Sequence, residues 1–360
     1  MKNVLRCAAL LLAVLLCLSF AGCYSENNTW SAKAGDDTLS IGAYIYYLNS
    51  AYSEARAQVS ADTQVLKATI NGKKAEEWIR DRAQEYVRSY YFINQKFDEL
   101  GLTLDADDEE YIGSLSDSMW SYYREYMEGL GISEESFAKA YARYSYKYDL
   151  VMLALYGEGG EKEMDSDELK QYFADNFTSY EYFSSPLSYV DEDGNSQSYD
   201  EATLALHQDL LEQYAERINK GELSVEEAAQ TFASVALEDD NANTYMGPLA
   251  ASTDSMSTTI ASALEGAKDG EAVVTESTTY KYLIRKLSAA EQFDDYIADE
   301  DQYIALVYGC KGDEFRDYVT EQSASVDVQF NDSALKTVSV SRFVNDSTKY
   351  GAITAESTEE

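Results

Sequence analysis

Between Ile79 and Leu100 the apolar residues advance by alternating steps of four and three: Ile79, Ala83, Tyr86, Tyr90, Ile93, Phe97 and Leu100. Such spacing predicts one buried stripe along about six turns of helix. Gly101 follows at once and suits a left-handed C-cap. The same rhythm recurs on both sides. Ile41, Tyr44, Leu48, Tyr52 and Ala55 follow a short extended lead-in at Leu39-Ser40-Ile41. Tyr111, Leu115, Met119, Tyr122 and Tyr126 follow an acidic start over residues 105–110, which suits the helix dipole, and Gly129 and Gly131 break that helix. Ser133 can cap the next one, which carries Phe137, Tyr141, Tyr144, Tyr148, Val151 and Leu155. After the break at Gly157-Glu158-Gly159-Gly160, Ser166 opens a short helix through Phe173. The chain of 360 residues has two prolines, Pro186 and Pro248, where average usage gives roughly eighteen. Long helices are therefore unobstructed, and residues 36–177 are expected to form an all-α lobe.

The second half changes period. Residues 180–183 read as an aromatic strand, and Asp191-Glu192-Asp193-Gly194-Asn195 as a turn. A helix with Leu206, Leu210, Tyr214 and Ile218 stops at Gly221, and Ser224-Val225-Glu226-Glu227 is a capping box that opens another. Gly247-Pro248 reads as a turn, Ile260 and Leu264 mark a helix, and β-rich runs follow at 272–275 and 280–287. This order predicts a compact α+β module over 178–288. Beyond it, a helix at 296–318 and a short strand at Val326-Asp327-Val328 are expected to pack on the helical lobe within 289–345. Residues 346–360 read as a loose tail. The fold class is α+β.

At the N-terminus, Lys2 and Arg6 precede an apolar run with Leu10, Leu11, Val14, Leu15 and Leu16, ending in Ser19-Phe20-Ala21-Gly22-Cys23. The run is short for a membrane span, and small residues precede the cysteine. It resembles a bacterial lipoprotein signal. That resemblance implies a signal over 1–22, lipid attachment to the Cys23 thiol, a tether over 23–35, and a place on the extracytoplasmic face of the cell membrane. Cys7 and Cys17 would leave with the signal, so Cys310 would be the one unacylated thiol and no disulfide could form within the mature chain. Its neighbours Val307 and Tyr308 make Cys310 a packed residue rather than a nucleophile.

Charge and composition exclude several classes. With 65 acidic against 28 basic residues, a formal net charge of −37, there is no broad basic surface, so nucleic acid is not an expected partner. The single histidine, His207, excludes most zinc sites and any catalysis that needs two imidazoles; beside the Leu206-Leu210-Tyr214 stripe it reads as a helix-edge residue. The Asp191 turn begins like a calcium loop, but Ser196 stands where glycine is needed and Ala202 where glutamate is needed. The Gly157-Glu158-Gly159-Gly160 run has Lys162 at the last glycine position of a dinucleotide fingerprint. No metal and no cofactor is expected.

Several runs carry a wider resemblance. They are Leu39-Ser40-Ile41 through Tyr47; Ser166-Asp167-Glu168-Leu169-Lys170-Gln171-Tyr172-Phe173; Asn219-Lys220-Gly221-Glu222-Leu223; Gly247-Pro248-Leu249; and Gly270-Glu271. In this order they resemble the PrsA/SurA-type extracytoplasmic foldase lipoproteins, over nearly the whole mature chain. The resemblance implies an all-α SurA-N-like chaperone lobe with an inserted parvulin-like peptidyl-prolyl isomerase module. It implies unfolded or folding secreted polypeptides as partners, the lipid bilayer as a partner through acylated Cys23, no nucleic acid, and it leaves room for a homodimer.

The module departs from the active parvulin pattern, which places one histidine on the first strand and another on the last. Here those strands read Tyr180-Glu181-Tyr182-Phe183 and Tyr280-Lys281-Tyr282-Leu283-Ile284, with Tyr282 at the second histidine position. Met256-Ser257-Thr258-Thr259-Ile260 resembles the Met-x-x-x-Phe floor of the proline pocket, with Ile260 in place of Phe. Tyr180, Tyr182, Met256, Ile260 and Tyr282 are therefore the candidates for a degenerate pocket, and the catalytic residues are unknown. Three functions stay open: a chaperone whose module has lost catalysis, an active isomerase with an altered site, and a solute-binding or scaffold lipoprotein. The 31 tyrosines mostly fall on the stripes; Tyr47, Tyr91 and Tyr123 lie beside them and are expected to grip unfolded chains, with basic clients favoured by charge. If Cys23 carries the lipid, Cys23→Ala should move the protein from the membrane fraction to the soluble one, and retention in the membrane pellet would disprove the assignment.

Overall fold

A computed structural model describes residues 29–344 apart from 192, 240, 241, 243 and 254. Residues 1–22, Cys23 and the tail 346–360 fall outside the described residues. The chain divides into two units, Met1–Glu161 with Gly312–Glu360, and Lys162–Lys311.

In the first unit, strands β1 (Trp30–Ala34) and β2 (Asp37–Ser40) form an antiparallel hairpin, and β1 also pairs with Gln329–Phe330. The segment expected as tether thus becomes sheet from Trp30 onward. Ser31 is fully buried there, and its Oγ donates to the Leu39 and Ser40 carbonyls, so a polar-looking residue is satisfied inside the core. Ser40 then caps α1 (Ile41–Ala57) by accepting the Ala43 N–H. The expected stripe from Ile41 to Ala55 is buried, and so are Ile45, Tyr47 and Ala51 around it, which makes α1 the central helix. After the short antiparallel hairpin of β3 (Thr69–Ile70) and β4 (Lys73–Lys74), helix α2 (Ala75–Glu99) buries Ile79, Ala83, Tyr90, Ile93 and Phe97 and is closed by Gly101 at φ +69°.

Helix α3 (Ala106–Leu130) starts at a reciprocal Asp105/Asp108 capping box and ends at Gly131, in the left-handed region; Gly129 stays helical. Its buried face is Ile112, Ser116, Trp120, Met127 and Leu130, one residue around from the expected stripe, and Tyr111 and Tyr122 are exposed. A tyrosine can satisfy its hydroxyl in water, so Ile112 and Trp120 take the inner face. Capped by Ser133, α4 (Glu134–Phe137), a π segment (Ala138–Ala142) and α5 (Arg143–Tyr156) run as one helix. Near the C-terminus the strand forms at Gln329–Phe330 rather than at Val326-Asp327-Val328; Val326 and Val328 are buried and Phe330 registers with Ala32.

The second unit contains α6 (Ser166–Asn176), β5 (Phe177–Pro186), the hairpin β6 (Ser188–Val190) and β7 (Ser196–Ser198), α7 (Glu201–Asn219), α8 (Val225–Ala236), β8 (Tyr245–Ser252), α9 (Thr258–Leu264), β9 (Ala272–Glu276), β10 (Tyr280–Leu287), α10 (Ala289–Ile297) and the start of α11 (Glu300–Ser323). Its sheet is antiparallel in the order β8-β5-β10-β9. Gly247-Pro248 is not a turn: it lies within β8, where the register against β5 shifts between Tyr180 and Tyr182. Gly247 has φ +142°, and a Cβ there would stand 2.6 Å from Glu181 Cβ, so the close strand approach requires glycine. No described helix is long and apolar enough to cross a membrane.

The division falls elsewhere than the expected boundaries of 36–177, 178–288 and 289–345. Helix α6 and residues 289–311 belong with the sheet, because Leu169, Phe173, Phe293 and Leu306 share one buried cluster. Phe173 sits 4.8 Å from Tyr296, 5.2 Å from Phe177 and 5.8 Å from Phe293 between ring centroids. Cys310 is half-buried at the edge of this cluster. A fragment of residues 162–311 should therefore unfold cooperatively in urea, and Phe173→Ala should cost it about 3–5 kcal/mol. A 178–288 fragment of equal stability would show that these flanking aromatics are dispensable.

Candidate functional site

Strand alternation sorts the sheet of the second unit into two faces. On one, Phe183 and Leu283 pack with Leu211, Val225 and Phe232 from α7 and α8. On the other, Tyr180 and Tyr182 from β5 and Tyr282 and Ile284 from β10 meet Ile260 and Leu264 from α9. The register explains the sharing: Ile284 lies opposite Tyr182 and Tyr282 opposite Ser184. Leu249 of β8, Val273 of β9 and Met256 complete the patch. All five residues singled out in the sequence are thus in one apolar cluster, with Tyr180 and Ile260 buried and Tyr182, Met256 and Tyr282 half-buried.

The tyrosines form a chain of rings. Tyr180 and Tyr182 stack at 6.1 Å, Tyr182 meets Tyr282 edge-on at 5.8 Å, and Tyr280 lies 6.0 Å from Tyr282. Burial, and then the neighbouring phenol, raises the pKa of both Tyr180 and Tyr182 above the ordinary value, so these hydroxyls stay protonated donors. An adjoining cavity of about 290 Å³ is lined in part by Met256, Leu264, Glu265 and Lys286. The surface offers apolar area and phenolic O–H groups. Tyr280, partly exposed beside Tyr282, was missed in the sequence; the period-two series 280, 282, 284 is the pattern that reveals it.

The opposite face carries the polar chemistry. His207 is not at a helix edge: it is 0 % exposed, with Nδ1 3.0 Å from Ser185 Oγ and its ring edge-on to Tyr199 and Phe232. The inner face of α7 is His207, Leu211, Tyr214, Ala215 and Ile218, while Leu206 is exposed. Ser185, from β5, supplies the polar partner that lets an imidazole displace a leucine from the interior. Glu181 is held by Arg285 at 3.1 Å and by Tyr245, whose hydroxyl donates to it at 2.9 Å. Burial and that carboxylate push Tyr245 up to about 12. In the β6–β7 hairpin, Asp191 Oδ1 accepts the Asp193 and Asn195 N–H groups, so its carboxylate closes a turn. Among the described residues no group of three His, Cys, Asp or Glu side chains could hold a metal.

A scan against protein-family models matches none, and a search of curated proteins also finds no match. Among solved structures the chain is similar to the foldase protein PrsA from Streptococcus pneumoniae, with 13% identity, coverage of 79% of this chain and 98% of that one, and a TM-score of 0.36. It is similar to the PrsA foldase from Lactococcus lactis at 11% identity, covering 88% and 99%, TM-score 0.35. PrsA from Bacillus subtilis matches at 13% identity, covering 76% and 97%, TM-score 0.32. Likenesses of this size transfer no activity, which has to come from the chain's own residues.

Burial lowers the pKa of His207 below the usual value, with the Ala236 carbonyl pulling the other way. In the unfolded chain the imidazole takes a proton as pH falls through about 6.5, while the folded one stays neutral longer. The unfolded state then binds more protons, so this residue contributes a loss of stability below about pH 6.5 and nothing above it. Carboxylate titration is common to wild type and His207→Gln. Urea unfolding of both from about pH 7.5 to about pH 5.5 should show the wild type losing stability more steeply than the variant. Parallel curves would mean that His207 protonates equally in both states.

Proposed function

We propose that this chain is a membrane-tethered extracytoplasmic foldase of the PrsA/SurA type that acts as a holdase, with a parvulin-like module that binds peptide but has lost isomerase chemistry. The observation that carries this reading is the separation of the two faces of the sheet. The slot face keeps the apolar floor of Met256, Ile260 and Leu264 beside Tyr182 and Tyr282, while the only imidazole of the chain is sealed on the other face against Ser185.

The chemistry follows from what prolyl isomerisation needs. Its barrier of about 18–20 kcal/mol comes from amide resonance, and catalysis has to favour the twisted amide over the planar one. An apolar slot removes water from the amide, and a positioned donor stabilises the twisted form. Loss of one such donor costs about 10²–10³ in rate, and here Tyr282 stands where the resemblance places the second histidine while the first strand, Tyr180-Glu181-Tyr182-Phe183, carries none. What remains is a surface that stacks on a proline ring or an aromatic residue, which gives affinity without turnover. The tether rests on the Phe20-Ala21-Gly22-Cys23 run, and the acidic surface favours basic clients.

A second reading has support in the same geometry. The Tyr182 and Tyr282 hydroxyls lie in the slot with their rings edge-on, so slow turnover with Tyr282 as the positioned donor is its chemical form. Two assays on one preparation separate the readings. Proline-limited refolding at low temperature should run at the uncatalysed rate, while light scattering of an unfolded client should be suppressed. Turnover that disappears in Tyr282→Phe would establish the enzyme instead. No effect in either assay would leave a scaffold role.

A further inference from the structure

The first unit contains a cleft that the slot does not involve. It has a volume of about 460 Å³, within the range of about 300–1,000 Å³ found for ligand pockets, and lies between α3 and the helix that continues through the π segment. Ile112, Gly113 and Ser116 from α3 and Ala138 from the start of the π segment line it, so most of the lining between the charged groups is apolar. A Cβ built on Gly113 meets nothing within 4 Å, so a side chain there would extend into the open cleft. The π segment inserts one extra residue, with the Arg143 N–H reaching back to the Ala138 carbonyl, and Tyr47 holds it by donating to the Ala140 carbonyl at 3.1 Å.

The rim is acidic. Glu109, Asp117, Glu134 and Glu135 line it together with Lys139 and Arg143. Both cations are engaged: Arg143 with Glu109, and Lys139 with Asp37 and the Thr38 carbonyl. Asp117 and Glu134 form no ion pair with a described residue, so the cleft keeps a surplus of negative charge over a mostly apolar lining. That combination complements a lysine or arginine side chain, whose stem needs apolar cover and whose head needs carboxylate.

We propose that this cleft is a binding site for basic, extended polypeptide segments, taking a lysine or arginine stem over Ile112, Gly113 and Ala138 and its charged head at Asp117 and Glu134. The site deepens the holdase reading and rests on it, since it names where and by what chemistry a basic client is held. A net charge of −37 attracts any cationic peptide, so the test has to fill the cleft without altering charge. Gly113→Leu does this: the position lies in a helix with room for a side chain, and leaving glycine favours helix by roughly 1 kcal/mol.

The probe is a fluorescein-labelled peptide of alternating lysine and leucine, with an otherwise identical glutamate-leucine peptide as control. Fluorescence anisotropy with the full chain should show binding of the lysine peptide alone, weakening as salt rises. Gly113→Leu should weaken it about tenfold at unchanged net charge, and the Asp117→Asn, Glu134→Gln double variant by about the same factor. Equal affinity in wild type and Gly113→Leu would overturn the proposal, since it would mean that diffuse charge alone binds the peptide. Failure of the wild type to bind the lysine peptide would overturn it as well. Light scattering with a client of neutral net charge separates this result from the holdase reading: suppression without lysine-peptide binding rejects the cleft and keeps the holdase, whereas binding without suppression keeps the cleft and rejects the holdase.

Discussion

The helical unit depends on burying phenols whose hydroxyls must find acceptors inside. A buried hydroxyl without a partner costs about 1–3 kcal/mol, so each interior tyrosine fixes the element that accepts from it. Tyr91 donates to the Ala32 carbonyl and thereby holds β1 on α2. Tyr90 donates to Asp37 in the adjoining strand, Tyr126 to Asn49 of α1, and Tyr47 to the carbonyl of Ala140 in the π segment. Tyr47 and Tyr91 were expected as client-gripping residues at the surface. They are buried instead, and the aromatic surface that remains on α3 is Tyr111, Tyr122 and Tyr123. The large tyrosine content is thus first a way to build a core that also specifies hydrogen-bond register.

Much of this architecture is legible in the sequence because helix period and caps are local properties. The stripes of α1 and α2, the acidic start of α3, the Ser133 and Ser224 caps and the glycine ends at 101 and 131 all stand where the residues placed them. Failures occur where the deciding partner is distant. The inner face of α3 is displaced by one residue because tyrosine is apolar by ring and polar by hydroxyl, and Ile112 and Trp120 compete for the same interior. The face of α7 turns toward His207, whose hydrogen-bond partner Ser185 lies 22 residues away. Trp30 to Ala34 looks like tether until the Gln329–Phe330 strand pairs with it from across the chain.

The slot was readable for a different reason. Strand alternation puts 180 with 182 and 280 with 282 without any knowledge of distant contacts, and antiparallel pairing of β5 with β10 then joins the two pairs. The same alternation places Glu181, Phe183, Ser185 and Leu283 on the reverse face, where the Glu181–Arg285–Tyr245 cluster and the Ser185–His207 pair bind strands and helices to each other. The polar groups of that face are engaged with one another, and the other face carries phenols and aliphatic groups with Glu265 and Lys286 at the adjoining cavity.

The two candidate peptide-contacting features rely on different forces. The slot face consists mainly of apolar area and phenol rings, so its affinity should change little with ionic strength. The cleft beside the π segment owes its preference to uncompensated carboxylates at the surface, where screening is strong: the Debye length falls from about 10 Å at 0.1 M salt to about 3 Å at 1 M. The two features, each taken by itself, would therefore differ in salt dependence. High salt should remove binding at the cleft and leave binding at the slot. This difference lets the contribution of each feature be read from one titration of the full chain.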